Sequence, residues 1–194
     1  MDDNWLVVGL GNPGPGYAGN RHNVGQMALS ILADRLSVTF KNHKANAAVA
    51  EGRSFAAGPK LVLAKPNTFM NVSGAPVAAL LRFYKIPAER LIVLHDELDI
   101  PFDSVRLKFG GGHGGHNGIR DIIAAIGTGD FTRVRIGIGR PPGRQPAADF
   151  VLKDFSGTER EVLPNLLEDA ADAVTMIAAE GLTAAQLKFH TARP

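Results

Sequence analysis

The loop Gly9–Gly25, GLGNPGPGYAGNRHNVG, presents Asn12, Tyr17, Arg21, His22 and Asn23 between glycines and prolines. These side chains include amides, an imidazole and a phenol but no acid, which suits a carbonyl or an amide better than a hard metal ion. An imidazole is a usable base near neutral pH, so chemistry on an acyl group is the first expectation. The apolar run Trp5–Val8 precedes the loop. A buried strand therefore delivers it to the carboxyl edge of a sheet, where α/β proteins gather ligands.

Three further loops follow apolar runs in the same way. After Leu61–Ala64 comes KPNTFMNVSG, with Phe69, Met70 and Asn71 at the mouth of a helix; after Leu91–Leu94 comes HDELD, with Asp96 at the strand end. After Val105–Phe109 comes GGGHGGHNG, Gly110 to Gly118. Its glycines let backbone amides approach a ligand, while His116 and Asn117 start a helix. If these strands are parallel neighbours, all four loops open on one rim, and His22, Asp96, Asn12, Asn71 and Asn117 surround one cleft.

Other chemistries compete for the same residues. Gly9, Gly11 and Gly14 spell the dinucleotide fingerprint, but Pro13, Pro15, Gly16 and Gly19 delay any helix until about Asn23. The ribose-binding acid fails too: the next strand candidate, Val38–Lys41, ends in a base, and Asp34 falls inside a helical pattern. His113 and His116, with His95, Asp96 and Glu97, are zinc-ligand types. His113 lies in a glycine loop, however, so the spacing does not put two rings on one face. Ser30 sits in a helical stripe and Ser73 lacks a nucleophile-elbow sequence.

The elements that must position these groups alternate along the chain. Leu6–Leu10, Ala47–Glu51, Leu61–Ala64, Leu91–His95, Val105–Phe109 and Val134–Ile138 read as strands, several too apolar to have a wet face. Helical stripes run through Val24–Leu36, Val77–Tyr84 and Ile119–Ile126. Ser156 with Glu159 has capping-box spacing and opens a long last helix to Gly181, a flap or edge cover. The pattern predicts an α/β sandwich with a mixed sheet. At 194 residues it is most simply one domain, 1–194, long enough to bury a core without disulfides.

The chain has no cysteine, which excludes thiol catalysis and fits a reducing compartment. With no leader pattern and no apolar run of membrane length, it reads as soluble and cytoplasmic. Net charge is only +2, but between Pro101 and Gln145 seven bases, including Arg106, Lys108 and Arg135, face three acids. A phosphate-binding face and ordinary surface charge both fit that imbalance.

NPGPGYAGNRHNVG, KPNTFMNVSG, HDELD, KFGGGHGGHNG and RVRIGIGRP, in this order over almost the whole chain, resemble the bacterial type of peptidyl-tRNA hydrolase. The resemblance implies a monomeric, three-layer α/β/α fold around a twisted mixed sheet. It implies a metal-free, cofactor-free esterase that releases tRNA from peptidyl-tRNA. His22 would be the base on water, Asp96 would orient it, and Asn12 would separate N-blocked from free aminoacyl esters. Asn71 and Asn117 would hold the peptide main chain and the tRNA end, with Met70 and His116 in the same substrate-contacting set. Tyr17 and Phe69 would meet the tRNA terminus, and Arg106, Lys108 and Arg135 the acceptor-stem phosphates. The rival from another class is a non-catalytic RNA-binding member of the same fold.

Overall fold

Runs of Val, Leu and Ile with no polar alternation can be buried only inside a sheet covered on both faces. In the computed structural model, which describes residues 3–190, they form the middle of one seven-stranded sheet. Its strands are β1 Trp5–Gly9, β2 Lys41–His43, β3 Ala47–Arg53, β4 Lys60–Pro66, β5 Leu91–Glu97, β6 Val105–Phe109 and β7 Thr132–Gly137. Their order is β2-β3-β4-β1-β5-β7-β6. The strands β4, β1, β5 and β7 run parallel, and β3 and β6 run against their neighbours.

Alternate side chains feed two cores. Val7, Leu63, Ile92, Leu94 and Val134 pack beneath α1 (Val24–Arg35) and α5 (Gly157–Glu180). Leu6, Val8, Val62 and Val93 pack beneath α2 (Gly74–Tyr84) and α3 (Asn117–Ile126). The result is the expected α/β/α sandwich with a mixed sheet. Among the described residues no helix is long and apolar enough to cross a membrane.

As the prolines predict, no helix starts in the first loop until a 3-10 turn at Arg21–Asn23 leads into α1. The start of α1 lies hard against the sheet. A Cβ on Gly25 would collide with the Leu94 carbonyl, and one on Gly9 would lie 2.6 Å from the Gly25 oxygen. This close approach brings the residues just before α1 to the end of β5.

The sheet departs from expectation at β6. Phe109 pairs with Thr132 at the foot of β7 and Val105 with Ile136 near its head, so β6 is antiparallel. Only residues 98–104 separate β5 from β6, and a parallel return needs about a dozen or more. The glycine segment therefore does not open at the rim beside the other loops; it starts at the foot and climbs the sheet face. Arg133 of β7 guides the climb, donating to the carbonyls of Gly111 at 2.8 Å, Gly129 at 2.9 Å, and Gly112. Gly114 and Gly115, with φ of 58° and 84°, make the final turn toward the rim.

Two smaller differences follow from packing. The candidate Val38–Lys41 meets a strand only at Lys41, because Val38 and Phe40 turn back onto the α1 core. The helix opened by Ser156 has its capping box but covers a face, not an edge. Edge cover falls to a further helix, α6 (Leu182–His190). There Gln186 Nε2 donates to the Leu107 carbonyl at 3.1 Å, and the Leu107 N–H donates to His190 Nε2 at 2.8 Å. A short helix α4, Ala147–Val151, also escaped the sequence reading.

Candidate active site

Asp96 ends the buried part of β5 and is held between two imidazoles. His116 caps α3: its Nδ1 accepts from the N–H of Gly118 at 3.1 Å and of Ile119 at 3.3 Å. Its proton is therefore on Nε2, which donates to Asp96 Oδ1 at 2.8 Å. His22 approaches the other oxygen, with Nδ1 2.8 Å from Asp96 Oδ2. A carboxylate only accepts, so Nδ1 carries the proton and Nε2 of His22 keeps a free lone pair. Behind them the buried His95 donates from Nδ1 to the Asp96 carbonyl at 2.8 Å.

The electrostatics follow from that packing. Burial works to lower the pKa of His22, but the charge of Asp96 and its hydrogen bond outweigh burial and the net shift is upward. Burial works to raise Asp96, yet His116 and His22 hold its carboxyl well below the usual carboxylate range. Burial, with His116 close by, pushes His95 down to about 3 and keeps it neutral. Asp96 is thus an anion at any physiological pH, and His22 is a base strengthened by its neighbour.

Asn12 is fixed by three hydrogen bonds. Its backbone N–H donates to Asn23 Oδ1 at 3.0 Å, and Asn23 Nδ2 donates back to the Asn12 carbonyl at 2.9 Å. The Met70 N–H donates to Asn12 Oδ1 at 2.7 Å. With its oxygen engaged, the Asn12 amide has its NH₂ group left to offer a ligand.

One cavity of about 630 Å³ gathers most of the residues singled out from the sequence: Asn12, His22, Phe69, Met70, Asn71, Asp96, His116 and Asn117. Tyr17 meets Phe69 edge to face, with ring centroids 6.0 Å apart, and Phe69 is half exposed, not core. Leu98, Val151 and Leu152 supply an apolar wall that the motifs did not announce.

The basic residues do not join this cavity. Lys108 and Arg135 line a neighbouring one of about 300 Å³, walled by Gly112, His113 and Gly114 of the climbing loop and sharing Glu97 and Gly114 with the first. Arg106 lines neither and stands opposite Arg135 across β6 and β7, as Lys108 stands opposite Arg133. Like charges placed directly opposite destabilise a sheet, and a bound anion relieves them. The buried Arg135 Nε has no hydrogen-bond partner among the described residues. Arg133 Nε likewise has none, but the two terminal nitrogens of Arg133 are occupied by loop carbonyls.

Two residues of the first loop have roles that their types alone did not reveal. Asn23 braces Asn12, and Arg21 is buried with its guanidinium on Glu159 and 4.0 Å from the Phe150 ring centre. Of the histidines and acids considered for zinc, His113 accepts from the Gly115 N–H at 2.9 Å and stays apart. Among the described residues, ligand-type atoms cluster only at His22, Asp96 and His116, within 4.8 Å of one another. Both imidazoles there already donate to the carboxylate.

A neutral ring nitrogen beside a cavity rimmed by amides is equipped to deprotonate water next to a carbonyl. Comparison with known proteins agrees with that chemistry. A protein of Leifsonia xyli subsp. xyli named peptidyl-tRNA hydrolase is 69% identical over 192 residues, covering 99% of this chain and all of that protein. One from Arthrobacter, with the same name, is 62% identical and covers 99% of each. The crystal structure of peptidyl-tRNA hydrolase from Acinetobacter baumannii superposes with a TM-score of 0.90 at 36% identity, covering all of this chain and 98% of that one. The family model described as peptidyl-tRNA hydrolase matches residues 6–194. This chain belongs to the peptidyl-tRNA hydrolase family.

Proposed function

We propose that this protein hydrolyses the ester joining a peptide, or an N-acyl-aminoacyl group, to tRNA, with His22 as general base on the attacking water. The observation that carries the reading is the His22 Nδ1–Asp96 Oδ2 bond of 2.8 Å, which leaves Nε2 as a base at the cavity. Water gives its proton to Nε2 as its oxygen attacks the ester carbonyl. Asp96 stabilises the imidazolium that forms, as the acid of a serine triad does, but water replaces the protein nucleophile. On collapse the carbonyl–ribose bond breaks, and His22 returns its proton to the departing ribose oxygen. No step calls for a metal ion.

The amides select and position the substrate in this reading. The Asn12 NH₂ donates to the carbonyl of a blocked amino group, whereas a free ammonium has no acceptor to offer and loses its water on entry. Asn71 and Asn117, from two neighbouring elements that both line the cavity, hold the peptide main chain and the tRNA end through amides that both donate and accept. Tyr17 and Phe69 give the terminal base an aromatic face, and Lys108 and Arg135 grip acceptor-stem phosphate. The protein works as a monomer in the cytoplasm, where ribosomes release its substrate; all the residues invoked come from one chain.

Release of N-acetyl amino acid from N-acetyl-aminoacyl-tRNA, in the presence of chelator, tests the proposal. Wild-type protein should remain active. Folded His22→Ala should lose a factor of about 10² to 10⁴. Wild-type turnover by His22→Ala would overturn the assignment of the base, and loss of wild-type activity to chelator would overturn the metal-free mechanism.

A further inference from the structure

A second groove, of about 400 Å³, adjoins the catalytic cavity and shares Asn12 with it. Pro13, Gly14, Pro15 and Ala18 of the first loop form one side, and the end of β4 and the first turns of α1 form the other. Lys65, half-buried in this groove, donates to Ser30 Oγ at 2.6 Å and stands 4.5 Å over the Phe40 ring. Ser30 spends its own proton on the Gln26 carbonyl at 3.1 Å. Among the described residues no carboxylate forms an ion pair with Lys65. Burial holds its pKa below the ordinary lysine value, and Asp34 counters only from beyond ion-pair distance.

A partly desolvated cation without a counter-ion is costly to keep. Here it lines an open groove that shares Asn12 with the catalytic cavity. Tyr17 is on the same loop as the groove wall, so a base resting on Tyr17 and Phe69 has its backbone next to the groove. Single-stranded nucleic acid is held by this pairing of an aromatic face for the base with a cation for the phosphate. A peptide main chain, being uncharged, would leave the ammonium unpaired.

We propose that this groove receives the single-stranded end of the RNA, with Lys65 pairing with the phosphodiester that precedes the terminal adenosine. The proposal rests on the esterase reading above. Lys65 is a substrate-binding residue in it and moves no proton.

Three substrates with the same N-acetyl-aminoacyl group test it: the ester of adenosine, the ester of cytidylyl-adenosine, and the full tRNA. Lys65→Met keeps the apolar stem over Phe40, and Lys65→Arg keeps the charge; both should melt near wild type. Lys65→Met should lower kcat/KM about tenfold for the two substrates that carry the phosphodiester, chiefly through KM. The adenosine ester should lose less than about twofold. The slope of log kcat/KM against log salt for cytidylyl-adenosine should shrink by about 0.7, the value for one single-strand phosphate. Lys65→Arg should recover most of the loss. Equal losses on all three substrates, no loss on any, or a loss that follows acidic side chains in the acyl group would each overturn the proposal. Failure of the wild-type protein to cleave any of the three would overturn the esterase reading and this inference with it.

Discussion

Arg21 and Glu159 are 138 residues apart in the chain and meet at 2.7 Å. The same Glu159 oxygen accepts the Ser156 N–H at 2.9 Å in the capping box of α5. Arg21 also donates to the Phe150 carbonyl at 3.3 Å, and Asn20 Nδ2 donates to Asp154 Oδ1 at 2.7 Å. The loop that carries His22 is therefore pinned to the α4–α5 junction, next to the Val151–Leu152 wall of the cavity. Arg21→Met should cost about 2 to 3 kcal/mol of stability, since removing one partner leaves a largely buried charge uncompensated. Glu159→Gln still suits the capping box and should cost about 1 kcal/mol. Denaturant midpoints measure both, and Arg21→Met should also raise KM as the wall loosens. An equal loss in the two variants would show that Arg21 contributes through its charge pair with Glu159 alone.

The pH dependence has a definite sign. His22 must be neutral to act, and its pKa lies above 6.5 because of Asp96, so kcat/KM should rise with pH through an apparent pKa above 6.5. Asp96→Asn removes the charge that raises it and leaves the burial that lowers it, so the midpoint should fall below 6.5 while the rate drops. For stability, the raised His22 contributes fully below pH 6.5 and loses its contribution as pH climbs through the folded value. The depressed Asp96 contributes above pH 3.8 and loses its share as pH falls toward its low folded value. A pH–rate profile and urea unfolding across both windows test the two signs.

His116 serves the α3 cap and Asp96 with different nitrogens, and substitution separates the two. His116→Asn keeps a good N-cap but is too short to hold Asp96 Oδ1; His116→Ala loses both functions. The alanine variant should be about 1 kcal/mol less stable than the asparagine variant. Both should lose kcat by a similar factor. Recovery of kcat in His116→Asn would detach Asp96 orientation from catalysis.

For the basic cavity, stability and binding should move in opposite directions. Lys108→Ala relieves the like-charge pair with Arg133 and should stabilise the free protein by a few tenths of a kcal/mol. The same change, or Arg135→Ala, should raise KM for full tRNA and reduce its salt slope by about 0.9 for each duplex phosphate lost. The adenosine ester, lacking an acceptor stem, provides the control. An unchanged salt slope in both variants would remove phosphate from that cavity.

Much of the site is legible because each motif lies just after an apolar run, and three such runs are parallel central strands. The direction of β6 was legible too, but only from a length: seven residues between β5 and β6 cannot carry the chain back for a parallel strand. The route of the glycine segment depends on that direction, and with it the separation of Lys108 and Arg135 from His22. The role of Arg21 was not legible, because its partners Glu159 and Phe150 lie more than a hundred residues away and no local pattern marks them. Lys65 was hidden for a related reason: in sequence it reads as a strand-end lysine, and only the fold leaves it without a carboxylate.

The Leu107 bonds to Gln186 and His190 have a consequence for solubility. A sheet margin with unmet amide and carbonyl groups is a template for pairing with another chain, and on the β6 side two polar side chains of α6 occupy that template. His190 does so only while Nε2 is unprotonated, and its pKa is held below 6.5 by burial and by the nearby Arg106 and Arg135. A chain cut back to Gly181 would retain every residue invoked in the chemistry, but its bared margin would be open to self-association.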